Sequence, residues 1–238
     1  MKKYIFAAFI LVIITISVTL VVKTTRAPRH AELESNQETP FVILLPEAKN
    51  TGNVSVEEAI ALRRSVRQYS PAALTIEDIS QILWAAQGIT ESHHKLRSAP
   101  SAGALYPLKL YLVCGEDEPI PAGVYKYDPE AHSIVKYKDG DIRKELYQAC
   151  LSQEAVLDAP VVLFFSAVYK QTRDKYGARG EMYVHFEVGH AAQNVYLQAT
   201  ARNLGTVSIG AFDGASVKSL LNMPKDETPL YCMPIGRL

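Results

Sequence analysis

The 238-residue sequence sets 25 Lys and Arg against 25 Asp and Glu, for a formal net charge of zero. Without a net excess of cations there is little counterion-release drive toward polyanions, so no nucleic-acid partner is expected. With 48% hydrophobic and 21% charged residues the composition is globular, which excludes disorder and fibrous classes for most of the chain.

The first element is apolar. Tyr4 to Val22 is a run of 19 residues without charge, flanked by Lys2-Lys3 and Lys23. As a helix it reaches about 28 Å, the thickness of a hydrocarbon core. It ends in Val21-Val22-Lys23-Thr24-Thr25-Arg26 without a small-x-small cleavage site, so residues 1–23 are expected to be a single uncleaved transmembrane anchor. Cations on both flanks leave the positive-inside rule undecided. The very short N-terminal tail favours the extracytoplasmic side for the remainder. Residues 24–53, punctuated by Pro28, Pro40, Pro46 and Gly52, read as a tether and an extended lead-in. Within them Phe41-Val42-Ile43-Leu44-Leu45 is too short for a helix. It is expected as a strand or extended arm against the domain or a partner subunit. Residues 54–238 are expected to form one domain, enough for one well-buried core.

From Ser55 helices and strands alternate. Ser55-Val56-Glu57-Glu58 fits a capping box opening a helix through Arg63. A second helix starts at Thr75 with Asp78 at N3. It carries Ile79, Ile82, Leu83 and Ala86 on one face and stops at Gly88; Trp84 on it is expected in the core. Leu108 to Val113 alternates as a strand, and Gly123 to Tyr127 with Ser133 to Tyr137 reads as a hairpin joined by Asp128 to Ala131. Ile142 to Leu151 is a third helix. Pro160 to Val168 is an apolar strand of the kind covered on both faces. Glu181 to Asn203 is a long helix and the expected spine of the core. Thr206 to Ile209, Ala215 to Leu221 and Leu230 to Pro234 follow as strand, helix and last strand. The class is α+β, one central sheet with helices packed over it.

Four short stretches carry candidate chemistry. Arg63-Arg64-Ser65-Val66-Arg67 gathers guanidiniums that repel one another unless an anion compensates them, and the planar fork of Arg suits phosphate. Arg97-Ser98-Ala99-Pro100-Ser101-Ala102-Gly103-Ala104-Leu105-Tyr106-Pro107 is a loop of small residues with room for something flat. Thr206 to Ala211 is a strand end able to present backbone N–H groups to a heteroaromatic edge. Pro234-Ile235-Gly236-Arg237-Leu238 adds a further Arg beside a Gly. His185-x-Glu187-x-x-His190 is not a metal site: the histidines sit about 140° apart around a helix. His93-His94 reads as a loop pair. Cys114, Cys150 and Cys232 fit neither a disulfide framework nor metal spacing and are expected as buried thiols.

The order RRSVRxY, SAPSAGALYP, GHAAQNVYLQATARNLG, VSIGAFD and PIGR, across about residues 41–238, resembles the nitroreductase-like FMN flavoproteins. More narrowly it resembles their SagB/ThcOx-type dehydrogenase branch, whose best-known members oxidise peptide azolines to azoles. The resemblance implies a nitroreductase-like fold with a central, mostly antiparallel sheet flanked by helices. It implies FMN as cofactor and a homodimer with two interface sites. Arg63, Arg64, Ser65 and Arg67, joined by Gly236 and Arg237, fall where the family holds FMN phosphate and ribityl chain. Pro100, Ser101 and Ala102 match the loop that covers the flavin from the second subunit. Ser208, Ile209, Gly210 and Ala211 match the strand end whose amide approaches flavin N5. Lys175-Tyr176 falls on the branch's Lys-Tyr pair for proton abstraction, here in a loop ahead of the long helix.

FMN chemistry leaves binding, orientation and electronic tuning to the protein. The expected activity is hydride transfer to or from a small organic or peptide-derived substrate, with NAD(P)H as a possible donor. Three alternatives stay open: a plain NAD(P)H-dependent nitro or quinone reductase, a non-enzymatic flavin-binding or flavin-free scaffold, and a flavin-fragmenting or dehalogenating relative.

Overall fold

Strand alternation decides the centre of the fold. In β4 (Leu108–Cys114) residues Leu108, Leu110, Leu112 and Cys114 enter one core, while Tyr111 and Val113 enter a second on the other face. The same holds in β7 (Val161–Ala167), with Leu163 and Phe165 on one side and Val162 and Phe164 on the other. Strands buried on both faces need continuous apolar sequence, which is what these two carry. The computed structural model describes residues 40–116 and 118–238. The expected anchor at residues 1–23 and the tether to residue 39 lie outside them. No helix among the described residues is long and apolar enough to cross a membrane.

Five further strands complete the seven-stranded sheet. They are β1 (Val42–Leu44), β5 (Gly123–Asp128), β6 (Ser133–Asp139), β8 (Leu204–Thr206) and β9 (Thr228–Arg237). The order is β1-β6-β5-β4-β7-β9-β8, and every neighbouring pair is antiparallel. Thus β1, from the lead-in segment, is an edge strand of the chain's own sheet, with Ile43 opposite Ile134. Helices α2 (Ile76–Gln87) and α6 (Arg179–Ala201) pack on one face. Helices α3 (Arg143–Ala149), α4 (Glu154–Asp158) and α7 (Gly214–Leu220) pack on the other. Ile79, Ile82, Leu83 and Ala86 of α2 are all buried. Each large side chain among them contributes about 1.5–3 kcal/mol relative to exposure.

Caps explain several helix starts. Thr75 and Asp78 form the complete reciprocal box at the head of α2. At α1 (Val56–Leu62) Ser55 accepts from the Glu58 N–H at 3.1 Å, which is the first half of the box only. Other expectations are corrected. The strand placed at residues 206–209 is β8, at Leu204–Thr206, and beyond it only Ile209 bridges Cys232. Lys175 and Tyr176 lie in the last turn of a helix, α5 (Tyr169–Tyr176), rather than in a loop. Trp84 is half-buried and lines a surface groove with Gln81, Asn194 and Gln198. A short hairpin, β2 (Ile89–Glu91) with β3 (Leu96–Arg97), carries His93-His94 in its turn. All three cysteines are free and buried.

Candidate active site

Two half-sites form on either side of α6. The first begins where α1 stops: Arg63 leaves helical geometry, with ψ 124°, and the chain runs on beside β8. Ser65 bridges Thr206, and the Val66 N–H donates to the Thr206 carbonyl at 2.9 Å. The Tyr196 hydroxyl lies 3.2 Å from Ser65 Oγ and accepts the Ser208 N–H at 2.7 Å. Burial alone would raise this phenol, but hydrogen bonds from Ser208 and Ser65 and the charge of Arg63 outweigh it and hold it below its ordinary value. The Arg63 guanidinium stacks 5.1 Å from the Tyr196 ring centroid. Arg64 and Arg67 are exposed. Among the described residues, none of Arg63, Arg64 and Arg67 makes an ion pair. Gly210 and Ala211 are exposed next to Ser208, whereas Ile209 is buried and bonded both ways to Cys232.

Two residues expected here have partners within the chain. Arg237 donates to Asp78 Oδ2 at 2.5 Å and to the Ala73 carbonyl at 3.2 Å, so its charge is matched within the chain. Arg202 holds the other oxygen of Asp78 at 2.7 Å. Burial pushes that carboxyl up, but the bonds from Thr75 and Arg202 and the charge of Arg202 bring it below its ordinary value. Gly236 leaves room for Tyr69: a β-carbon there would come within 2.6 Å of the ring.

The second half-site is the small-residue loop with the end of α5. Ser101 Oγ accepts the Tyr106 N–H at 2.9 Å, closing a loop in which Gly103, Ala104 and Tyr106 all have positive φ. Pro100 is exposed, and Ser101 and Ala102 are half-buried. A β-carbon on Gly103 would lie 2.6 Å from both Lys175 Nζ and the Tyr176 hydroxyl, so these stretches, distant in sequence, meet in one chain. The ammonium also lies 5.5 Å from the Tyr176 ring centroid.

Glu187 was missed as a site residue. It is buried on α6 and its Oε1 has no hydrogen-bond partner among the described residues. Burial pushes its carboxyl up to about 7, against the opposing pull of Ser101, Arg97 and Lys109. The available signal was a carboxylate falling in the stripe that carries Val184, Val188 and Ala191. The adjacent His185 ring nitrogen lies 2.6 Å from the Tyr169 hydroxyl.

Helix α6 separates the halves. Asn194 Nδ2 donates to the Ser98 carbonyl at 3.1 Å. Glu187 and Asn194 are seven residues apart and share the side facing the loop. Tyr196 is nine residues beyond Glu187, about 13 Å along the axis and about half a turn away. One half therefore offers uncompensated cations and backbone, the other a Lys, a Tyr and a buried carboxyl.

A cationic cradle and a small-residue loop, set on either side of a spine helix and carried by an antiparallel sheet with helices on both faces, define a three-layered α+β scaffold. Residues 60–237 match the Nitroreductase family, and the chain belongs to it. A nitroreductase-like protein of Methanocaldococcus jannaschii is 46% identical over 184 residues, 77% of this chain and 91% of that one. A nitroreductase-like crystal structure from Ralstonia eutropha JMP134 superposes with TM-score 0.74 at 28% identity, covering 82% of this chain and 89% of that one. A chain of the Escherichia coli microcin synthetase McbBCD complex, with truncated pro-MccB17 bound, shares the fold at TM-score 0.64 and 23% identity over 89% and 83% of the two chains. Members of the family generally use FMN and are typically homodimeric.

Proposed function

We propose that this chain is an FMN-binding dehydrogenase in which Lys175 takes a proton from a small organic or peptide-derived substrate. The observation that carries it is the meeting of Lys175 and Tyr176 over Gly103 in the small-residue loop. The first half-site fits FMN by the chemistry of its donors: three Arg without carboxylate partners among the described residues, a Ser hydroxyl, and exposed backbone at Gly210 and Ala211. Arg63, Arg64, Ser65 and Arg67 would hold the phosphate end, and Ser208 to Ala211 the ring edge. When bound, FMN supplies a two-electron acceptor for hydride. Lys175, as the amine, accepts the proton at Nζ, and the Tyr176 hydroxyl beside it orients the substrate. Pro100 to Ala102 exclude water from the flat face.

The separation of the halves by α6 supports a homodimer in which one protomer's Arg63–Arg67 cradle is completed by its partner's loop and Lys-Tyr pair. The decisive experiment measures both half-reactions of FMN-reconstituted full chain: a C–H substrate such as a thiazoline, and a nicotinamide. Loss of thiazoline oxidation alone in Lys175→Ala supports the reading. No loss in either sinks it and leaves the plain NAD(P)H-dependent reductase, which the relationship to the Methanocaldococcus protein favours.

A further inference from the structure

Beneath the β2–β3 hairpin lies a cavity of about 30 Å³ lined by Gln87, Arg97, Leu108, Lys109, Leu110, Tyr127 and Pro129. Its polar lining is made almost wholly of donors. Arg97 Nη1 donates to Gln87 Oε1 at 2.8 Å, which fixes the amide with its oxygen toward the guanidinium. Gln87 is 1% exposed, and its Nε2 is left without a partner among the described residues. An unpaired buried N–H of this kind costs about 1–3 kcal/mol, so a native site supplies something to it. Lys109 is half-buried on β4, and its ammonium makes no hydrogen bond or ion pair among the described residues. The Tyr127 hydroxyl is already engaged with His132 at 2.8 Å.

We infer that this cavity is a binding site for one small monovalent inorganic anion of halide size, held by Gln87, Arg97 and Lys109. The volume takes one such body. A water molecule would accept from Gln87 but leave two cations facing each other. That repulsion is present: burial first, then Arg97 and Lys126, hold the Lys109 ammonium below its ordinary value. The site is distinct from the FMN cradle, which lies across α6.

Proton linkage follows from the surroundings. The carboxylates acting on Arg97 and Lys109 are Glu187 from α6, Glu130 from the β5–β6 turn and Glu227 ahead of β9. Glu227 is already paired with Lys126 at 2.5 Å, and Glu130 with Lys95 at 2.6 Å. His132 lies behind Tyr127 and burial disfavours its charge. Glu187 is thus the remaining local competitor for the two cations. It loses its charge below about 7, and the anion gains affinity there.

The experiment compares the unfolding midpoint of the full chain in sodium chloride, sodium bromide and sodium gluconate at equal ionic strength, at pH 6 and pH 8. At an anion concentration ten times the dissociation constant, chloride and bromide should raise the midpoint by about 3–6 °C over gluconate. The gain should be larger at pH 6. In Glu187→Gln it should be the same at both pH values, and in Lys109→Met it should vanish. Bromide-soaked crystals of the unaltered chain should show an anomalous peak beside Lys109, a readout that stands even if Lys109→Met fails to fold. Equal midpoints in all three salts, or crystals with ordinary water density and no bromide signal in the cavity, would overturn the assignment.

Discussion

A β-carbon on Gly103 would lie 2.6 Å from Lys175 Nζ, so the absent side chain of one residue and the ammonium of the other claim the same space. Gly103 also has φ +63°, a backbone region open to glycine and costly for others. Two independent reasons thus keep this position glycine, and only one concerns stability.

Gly103→Ala separates them. The strained φ should cost about 1 kcal/mol of stability, a small downward shift of the unfolding midpoint. Displacing Lys175 and Tyr176 should lower proton-abstracting turnover by about 10-fold or more, since misplacement of a catalytic group by an ångström costs on that order or above. Turnover equal to that of the unaltered protein would show that the Lys-Tyr pair need not rest on this loop.

Lys175→Ala should leave the fold and FMN content intact, because the residue sits in the exposed last turn of α5 and ends no buried contact. Oxidation of a substrate that must lose a proton should fall by about 10²–10⁴-fold, the usual contribution of a general base. Flavin reduction by a nicotinamide, followed by stopped-flow absorbance, should change little.

The arginines divide into two kinds. Replacing Arg64 and Arg67 with Ala should weaken FMN by about two decades or more, at about 1.5–3 kcal/mol per charge-assisted contact, with the unfolding midpoint of the flavin-free protein nearly unchanged. Arg237→Ala should do the reverse. It strips Asp78 of one of two cations and should cost about 1–3 kcal/mol of stability, leaving FMN affinity of the folded protein close to that of the unaltered chain. Flavin titration and denaturant unfolding of both variants decide between these outcomes.

Glu187 predicts a pH dependence. Its ordinary value is 4.5 and burial pushes it up to about 7, so between these values the folded state keeps a proton that the unfolded state releases. Stability conferred by the neutral carboxyl is therefore present at low pH and is lost as pH rises from about 4.5 to about 7, by about 3 kcal/mol. Glu187→Gln should flatten that slope in a series of urea titrations. An unchanged slope would mean that the carboxyl titrates normally.

Much of the fold was legible because local rules and burial agree. Thr75 to Gly88 carries its own cap, stripe and stop, and β4 and β7 carry runs that only a doubly covered strand needs. Helix α5 was not legible: Tyr-Lys-Gln-Thr-Arg-Asp-Lys-Tyr has no apolar periodicity, and only Thr172 on it is buried. Its shape comes from packing on α6. Residues 206–209 misled through Val207 and Ile209, whose alternation mimics a strand although Leu204 to Thr206 are the residues that pair with β9. In the site, the Arg and small-residue clusters showed as composition. The commitment of Arg237 to Asp78 spans 159 residues and no local pattern announces it. Glu187 was hidden for a similar reason, since only the loop folding back over α6 makes its burial visible.

The half-turn of α6 between Glu187 and Tyr196 has a genetic consequence. If each centre joins one protomer's cradle to its partner's Lys-Tyr pair, two defective proteins can repair one another. A chain lacking Lys175 and a chain lacking the Arg64 and Arg67 guanidiniums, unfolded together and refolded as an equal mixture, form hybrids in about half of the dimers. In each hybrid one centre inherits both lesions and the other inherits none. About a quarter of all centres should then regain full turnover, well above what either parent shows alone. A chain that kept both halves of its centre to itself would stay silent in the mixture.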